Sequence, residues 1–375
     1  MNPLYHNAFD FASRQVRALI ERDPGFYPMY THHGRWRHQL PAWTHWCDGF
    51  LPGIMWILCA RGDESWREPA ERYTKRLEPR QFDRDVHDLG FLFMSTYGRW
   101  RQMAPDPALN AVLNAVLIQA GRTLALRFRE KGAYLRSFVS EDSLFIDIMM
   151  NVGIIFYAAR ETGDEQLLDI ATRHSLTTRR VLVRGDGSTA HEGLFDLETG
   201  EFLQQTTHQG FRGDSCWARG LAWALYGFGT VYRYTHHPRF LRTAEACADY
   251  YLTHAPADGV VPWDFDAPPE SRVCTTNSLL DTSAAAIAAS GLLQLGTLAR
   301  ERSKRARYDE MARWILTSLC ERHLAAGDPA WEGILKGGVY HVHKGLGVNE
   351  SVMWGEYFFV EALDRALRQG GNGAS

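Results

Sequence analysis

Two aspartates stand where an acid is hardest to keep. Asp88 lies in HDLGF and Asp147 in FIDIMMN, each inside an apolar run rather than on a charged helical face. A buried, unpaired carboxylate is costly, so each must be paired, hydrogen-bonded or functional. Asp is also a preferred helix N-cap, and that reading stays open for both. Capping is the preferred reading for Asp48, Asp281 and the Asp142–Ser143 pair, which sit at expected helix starts. Two carboxyl groups across one pocket are the usual equipment of glycoside cleavage. Arg219 is the lone charge in SCWARGLAWALYG, so a buried anionic partner or an anionic substrate is expected beside it. Trp43, Trp46, Trp217, Trp223 and Trp354 could stack on sugar faces, though Trp at helical spacing also builds cores, and for Trp223 the two readings weigh equally. His191 and Gln209 fall in a polar segment ahead of the Arg219 helix, from which they could reach over a pocket. His87, beside Asp88, is read as substrate-binding.

Something must bring these residues to one place. A period near 3.6 predicts helices at about 4–22, 46–62, 64–80, 85–102, 108–129, 142–161, 163–182, 213–235, 238–254, 281–301, 305–324 and 350–368. Longer polar stretches with strand-like fragments lie at 185–210, 256–280 and 328–348. Every second helix, from 46–62 onward, is apolar nearly all round and rich in Gly, Ala and Ser, as in DTSAAAIAASGLLQL. The others are one-sided, as in QLLDIATRHSLTTRR. A helix apolar on all sides is buried on all sides, while a one-sided helix lies at the surface. The alternation therefore predicts an all-α fold, an (α/α)6 toroid of six helical hairpins with a few short strands in loops. Inner-helix N-termini carry HWCDGFLPG, DVHDLGF, EDSLFIDIMMN, GDSCWARG, LLDTSAAA and NESVMWGEY. They converge on one end of the ring, where acids, aromatics and amides suit a sugar.

Composition narrows the class. The chain has 375 residues, 45% of them hydrophobic and 23% charged, with a formal net charge of −3. That apolar content argues against disorder, and the charge balance argues against a nucleic-acid partner. Of 41 basic residues only five are Lys; the expected rim offers just Lys336 and Lys344, which points toward unsulfated ligands. No uninterrupted apolar stretch of about 18 residues is present, so no membrane partner is expected. The N-terminal residues lack the pattern of a signal peptide, and a cytoplasmic location is expected. Cys47, Cys59, Cys216, Cys247, Cys274 and Cys320 form no CxxC pair and read as reduced core thiols. No metal-ligand spacing occurs among the histidines, so neither metal nor cofactor is expected. No linker divides the chain, and residues 1–375 are read as one catalytic domain.

Taken together, DGFLPG at 48–53, HDLGF at 87–91, IDIMMN at 146–151, HQGFRGDSCWARGLAWALYG at 208–227, VPWDFDAPP at 261–269, DTSAAAIAASGLLQL at 281–295 and WGEYFFVEAL at 354–363 resemble the unsaturated glucuronyl hydrolases of glycoside hydrolase family 88. The resemblance implies the same toroid. It also implies a substrate, the Δ4,5-unsaturated uronic acid at the non-reducing end of a lyase-generated oligosaccharide. Asp147 would be general acid and base, Asp88 its assistant, and Trp46, His191, Gln209, Trp217, Arg219 and Trp223 would bind sugar. Cys47, Phe138, Leu221 and Glu356 depart from the family's usual Thr, Trp, Gln and Asp, which bears on the rim rather than the acids.

The implied chemistry is protonation of C4 of the enol ether, with water adding at C5, followed by hemiketal opening and release of the saturated sugar. Asp147 must then be protonated at rest, which burial and a second carboxylate, Asp88, would both favour. An unsaturated rhamnogalacturonyl hydrolase, an inverting glycosidase on the same toroid and a non-catalytic carbohydrate-binding toroid are the alternatives.

Overall fold

The helix starting at Asp281 shows why the inner ring forms. Asp281 caps it by accepting the Ser283 N–H, and every residue from Thr282 to Leu295 is buried. Small side chains on all faces let neighbouring helices approach from every direction. The one-sided helix Glu165–Leu182 is capped by Asp164 and buries Leu167, Ala171, His174, Ser175, Thr178 and Val181, a stripe at helical spacing. The computed structural model describes residues 2–268, 273, 274 and 277–371.

In chain order the helices are α1 (Pro3–Arg22), α2 (Phe50–Ala60), α3 (Arg67–Arg76), α4 (Leu89–Met94), α5 (Tyr97–Met103), α6 (Pro107–Ala125), α7 (Ile148–Asn151), α8 (Gly153–Thr162), α9 (Glu165–Leu182), α10 (Ala218–Thr235), α11 (Pro238–His254), α12 (Thr282–Leu298), α13 (Arg302–Ser318) and α14 (Met353–Gly371). The inner ring runs α2, α4–α5, α7–α8, α10, α12, α14, each packing on the next, and α14 closes on α2. Outside it, α3, α6, α9, α11, α13 and α1 each pack against an inner partner. The fold is the all-α toroid of α/α hairpins.

Close approach of the inner helices is visible at Gly90, where a Cβ would lie 2.5 Å from the Asn151 Cα and 2.7 Å from its carbonyl oxygen. In an open helix Gly→Ala is stabilising by up to about 1 kcal/mol. Here Gly90→Ala should instead lower stability by about 1–3 kcal/mol through overpacking. A denaturant midpoint equal to or above that of the unsubstituted protein would contradict this close contact.

Several boundaries differ from the sequence reading. The expected helix at 142–161 opens as a strand, Ser143–Phe145, which pairs antiparallel with Glu192–Phe195, itself paired with Phe202–Thr206. Ser143 is therefore no helix cap: its hydroxyl donates to the buried Glu192 carboxylate, and helix begins only after Asp147. The expected helix at 213–235 starts at Ala218, because the Ser215 hydroxyl is bound to Asp264 and the Cys216 N–H to Asp266. The helix at 85–102 starts at Leu89 and breaks at Ser95–Thr96, whose hydroxyls donate back to the Phe91 and Leu92 carbonyls, a bond that bends helices. Asp48 does not cap α2; its carboxylate faces Arg80 at 3.3 Å.

Cys47, Cys59, Cys216, Cys247 and Cys320 are buried free thiols. The Cys274 side chain, and Pro269 at the end of VPWDFDAPP, lie outside the described residues. Among the described residues no helix is long and apolar enough to cross a membrane, and no group of three His, Cys, Asp or Glu could hold a metal ion.

Candidate active site

The turns preceding α4 and α7 set Asp88 and Asp147 side by side at one end of the ring. Each stands at an N-cap position, yet neither side chain makes a capping hydrogen bond. What holds them is Asn151, one helical turn after Asp147. Its Nδ2 donates to the Asp147 carbonyl at 3.2 Å and to Asp88 Oδ1 at 3.4 Å, while its Oδ1 accepts the Phe91 N–H at 2.8 Å. One amide thus ties the two acid-bearing inner helices together.

Around them lies a narrow pocket lined by Trp43, Trp46, His87, Asp88, Phe138, Phe145, Asp147, Gln209, Arg219 and Tyr340. Of the residues singled out from the sequence, Asp88, Asp147, Trp43, Trp46, His87, Gln209 and Arg219 therefore meet. His191, Trp217 and Trp223 are not part of this lining. His191 sits behind Asp147, its Nε2 3.6 Å from Asp147 Oδ2. Trp217 is buried under the Arg219 guanidinium, and Trp223 is buried against Phe91 and Phe358. Lys344 places its ammonium 4.2 Å over Trp43 at the rim, whereas Lys336 is paired with Asp328.

Arg219 has the buried anionic partner its isolation demanded. Its Nη1 lies 3.0 Å from Asp281 Oδ2 and also donates to the Val339 carbonyl; Nη2 donates to Gln209 Oε1 at 2.5 Å and to the Tyr340 carbonyl at 2.9 Å. Trp217 and Trp354 flank the guanidinium at 4.4 and 5.2 Å. The capping Asp281 is thus also a counter-ion, a role invisible in a cap motif.

Burial sets the acids. It lifts Asp147 from the ordinary carboxylate range to about 6, against the pull of Arg219. Burial also lifts Asp88 well above that range, with the Asp147 charge adding to it and Arg127, Arg80 and Asn151 opposing. Both carboxyl groups thus hold their protons above the ordinary carboxylate range. A pocket with one acid titrating near 6 beside a second held neutral can donate a proton and take one back.

Asn151 and Tyr340 were missed in the sequence. Asn151 had a signal, an amide one turn from Asp147 within IDIMMN; Tyr340, on the short strand Gly338–His341, had none. A larger cavity of about 770 Å³ reaches the opposite end of the ring and contains neither aspartate. Its buried Glu361 is satisfied by Arg99, Tyr226 and Ser290.

Comparison with known proteins identifies the family. The model of Glycosyl Hydrolase Family 88 matches residues 27–260. An unsaturated glucuronyl hydrolase of Bacillus sp. (strain GL1) is 33% identical over 96% of this chain and 95% of its own. An unsaturated chondroitin disaccharide hydrolase of Streptococcus pyogenes serotype M1 is 30% identical over 96% and 90%. A crystal structure of an unsaturated glucuronyl hydrolase specific for heparin superposes with a TM-score of 0.90 at 30% identity, covering 99% of both chains. With matches running the length of the toroid and both acids at its mouth, this chain belongs to glycoside hydrolase family 88, among the unsaturated glucuronyl hydrolases.

Proposed function

We propose that this enzyme removes the Δ4,5-unsaturated uronic acid from the non-reducing end of lyase-generated oligosaccharides by hydrating its C4=C5 bond. The observation that carries the reading is the pair of buried carboxyl groups facing one aromatic-lined pocket, with Asp147 lifted to about 6. Protonated Asp147 gives its proton to C4. The positive charge that develops at C5 is shared with the ring oxygen. Ionised Asp147 then takes a proton from the water that adds at C5, which restores the acid. The resulting hemiketal opens at its C5–O5 bond to the 5-ketone, and the hemiacetal this leaves at C1 collapses to the aldehyde, breaking the C1–O bond and releasing the neighbouring sugar as an alcohol. Asp88, held neutral to higher pH, donates a hydrogen bond to the ring or the incoming water.

Trp46 supplies a flat apolar face, and Gln209 with Arg219 supplies donors for the sugar's oxygens. Arg219 already spends its charge on Asp281, so its attraction for the uronate carboxylate is that of an aligned donor more than a free cation. The relatives act on glucuronyl and chondroitin substrates by name, which supports a glycosaminoglycan-type disaccharide for this chain. We read the chain as one catalytic domain that works in the cytoplasm; the closed helical ring and five buried free thiols support that reading.

The test is loss of the ultraviolet absorbance of the enol ether, followed with unsaturated disaccharides from several lyases. Activity should be highest on the acidic side of neutral and fall as pH rises through about 6, because the proton donor is lost when Asp147 ionises. Cleavage of saturated glycosides without loss of that absorbance would replace hydration with ordinary glycoside hydrolysis.

A further inference from the structure

The two histidines nearest the acids are wired alike. Nδ1 of His191 accepts the backbone N–H groups of His208 at 3.1 Å and Gln209 at 3.3 Å, with the Thr207 hydroxyl at 3.2 Å on the same nitrogen. Nδ1 of His87 accepts the Phe138 N–H at 3.1 Å. A ring nitrogen that accepts a backbone N–H carries no hydrogen of its own. In a neutral imidazole the hydrogen is then on Nε2. In both cases Nε2 faces an acid: that of His191 lies 3.6 Å from Asp147 Oδ2, and that of His87 lies 3.5 Å from Asp88 Oδ1.

We propose that His87 and His191 are positioning residues, each locked by the backbone into the tautomer that aims Nε2–H at one acid, and that His191 thereby confines the Asp147 proton to Oδ1. This deepens the acid/base reading of Asp147 and rests on it. Asp147 Oδ2 and His191 Nε2 are both buried without any other hydrogen-bond partner among the described residues. Two such atoms face each other favourably only as acceptor and donor. The contact is longer than a formed hydrogen bond, and catalytic contacts of this kind tighten in the substrate complex. With Oδ2 engaged as an acceptor, a neutral Asp147 must carry its hydrogen on Oδ1. The side chain remains 14% exposed while Oδ2 is sealed, so the open part of the carboxyl group is the part turned to the pocket. Without His191 the proton could sit on either oxygen, and on Oδ2 it would point into the protein.

The surroundings keep both rings neutral. Burial, with His208, Arg219, His341 and His87 nearby, holds the His191 pKa well below the usual histidine range; burial, with Arg127 and His174, does the same for His87. Besides the two histidines, and among the described residues, Arg219 and Asp88 are the charged or titratable neighbours of Asp147, and Arg127, Arg80 and Asp147 those of Asp88.

The first test needs no activity. Nitrogen-15 NMR of ring-labelled protein should show two buried histidines, assigned by loss of their resonances in His87→Gln and His191→Gln, with Nε2 protonated and Nδ1 bare from pH 8 down to about 5. An Nδ1–H tautomer or an imidazolium at either position would overturn the proposal, whether or not the protein hydrolyses anything. The second test compares two amides at 191. Asn can replace the Nδ1 acceptor for the His208 and Gln209 N–H groups but lacks the distal donor, while Gln places an amide N–H near the position of Nε2. Carbon-13 titration of the Asp147 carboxyl should show its pKa rising by about one pH unit in His191→Asn, since the charged form has lost a donor, and staying near the parent value in His191→Gln. The alkaline limb of kcat should move with it, with kcat reduced about tenfold in His191→Asn and largely restored in His191→Gln. A rise in KM with an unmoved Asp147 titration would assign His191 to substrate binding instead.

Discussion

Asp147→Asn should lower kcat by about 1,000-fold, the middle of the range for losing a positioned proton donor, with KM changed by less than about threefold. Asn has nearly the same shape and leaves Trp46, Gln209 and Arg219 in place, so ground-state binding survives while the C4 proton has no source. The same substitution should stabilise the protein at neutral pH. The folded-state pKa of Asp147 is raised, from 3.8 to about 6. Below 3.8 the carboxyl is protonated in both folded and unfolded chains and adds no pH dependence. Between 3.8 and 6 the unfolded chain ionises while the folded one holds its proton, so stability falls as pH rises. Above 6 the loss levels off at about two pH units' worth, on the order of 2–3 kcal/mol at most. Asn escapes that cost, because it never ionises. The denaturation midpoint of Asp147→Asn should therefore exceed that of the parent at pH 7.5 and converge with it near pH 4. Retention of more than a tenth of the parent kcat, measured by enol-ether absorbance, would remove Asp147 from the acid role. A midpoint gap that failed to close on acidification would show that burial does not set its pKa.

The largest effect on stability is expected at Asp281. Its carboxylate accepts Arg219 Nη1 at 3.0 Å, the Ser283 N–H at 3.0 Å and hydroxyl at 2.6 Å, and the Val339 N–H at 3.3 Å. Asp281→Asn keeps a side chain able to cap α12 and removes only the charge. That leaves the Arg219 guanidinium, 1% exposed, without a counter-ion, and breaking such a buried pair costs about 3–5 kcal/mol. Asp281→Ala should cost about 1 kcal/mol more, because the cap is lost as well. Arg219→Met should be milder, since the remaining carboxylate still has three donors. Combining Asp281→Asn with Arg219→Met should recover much of the loss, a non-additivity that a double-mutant cycle in urea would read directly. If Asp281→Asn unfolded within 1 kcal/mol of the parent, the pair would not be what fixes Arg219 beneath the pocket.

How much of this was legible before any coordinates depended on the kind of physics involved. The alternation of all-round apolar helices with one-sided ones follows from burial alone, which acts residue by residue along a helix, so the double ring could be read from spacing. Asp88 and Asp147 stood out for the same reason, as charges in segments that could only be buried. The starts of α7 and α10 could not be read this way. Ser143–Phe145 has apolar residues enough for helix, and becomes a strand because Glu192–Phe195, almost fifty residues later, pairs with it. Likewise Ser215 and Cys216 are held out of α10 by Asp264 and Asp266.

The sequence by itself determined the fold class and pointed to the end of the ring where Asp88 and Asp147 meet, with several of the residues that line the pocket around them. Tertiary structure alone decided that Asp281 neutralises Arg219, that Asn151 ties the acid-bearing helices together, and that His191 lies behind Asp147 rather than in the pocket lining. Hydrophobic periodicity is a local quantity that one strand of text displays. Ion pairing, hydrogen-bond direction and the pKa of a buried carboxyl depend on distances of 3 to 4 Å between residues tens of positions apart, and only the folded chain sets those.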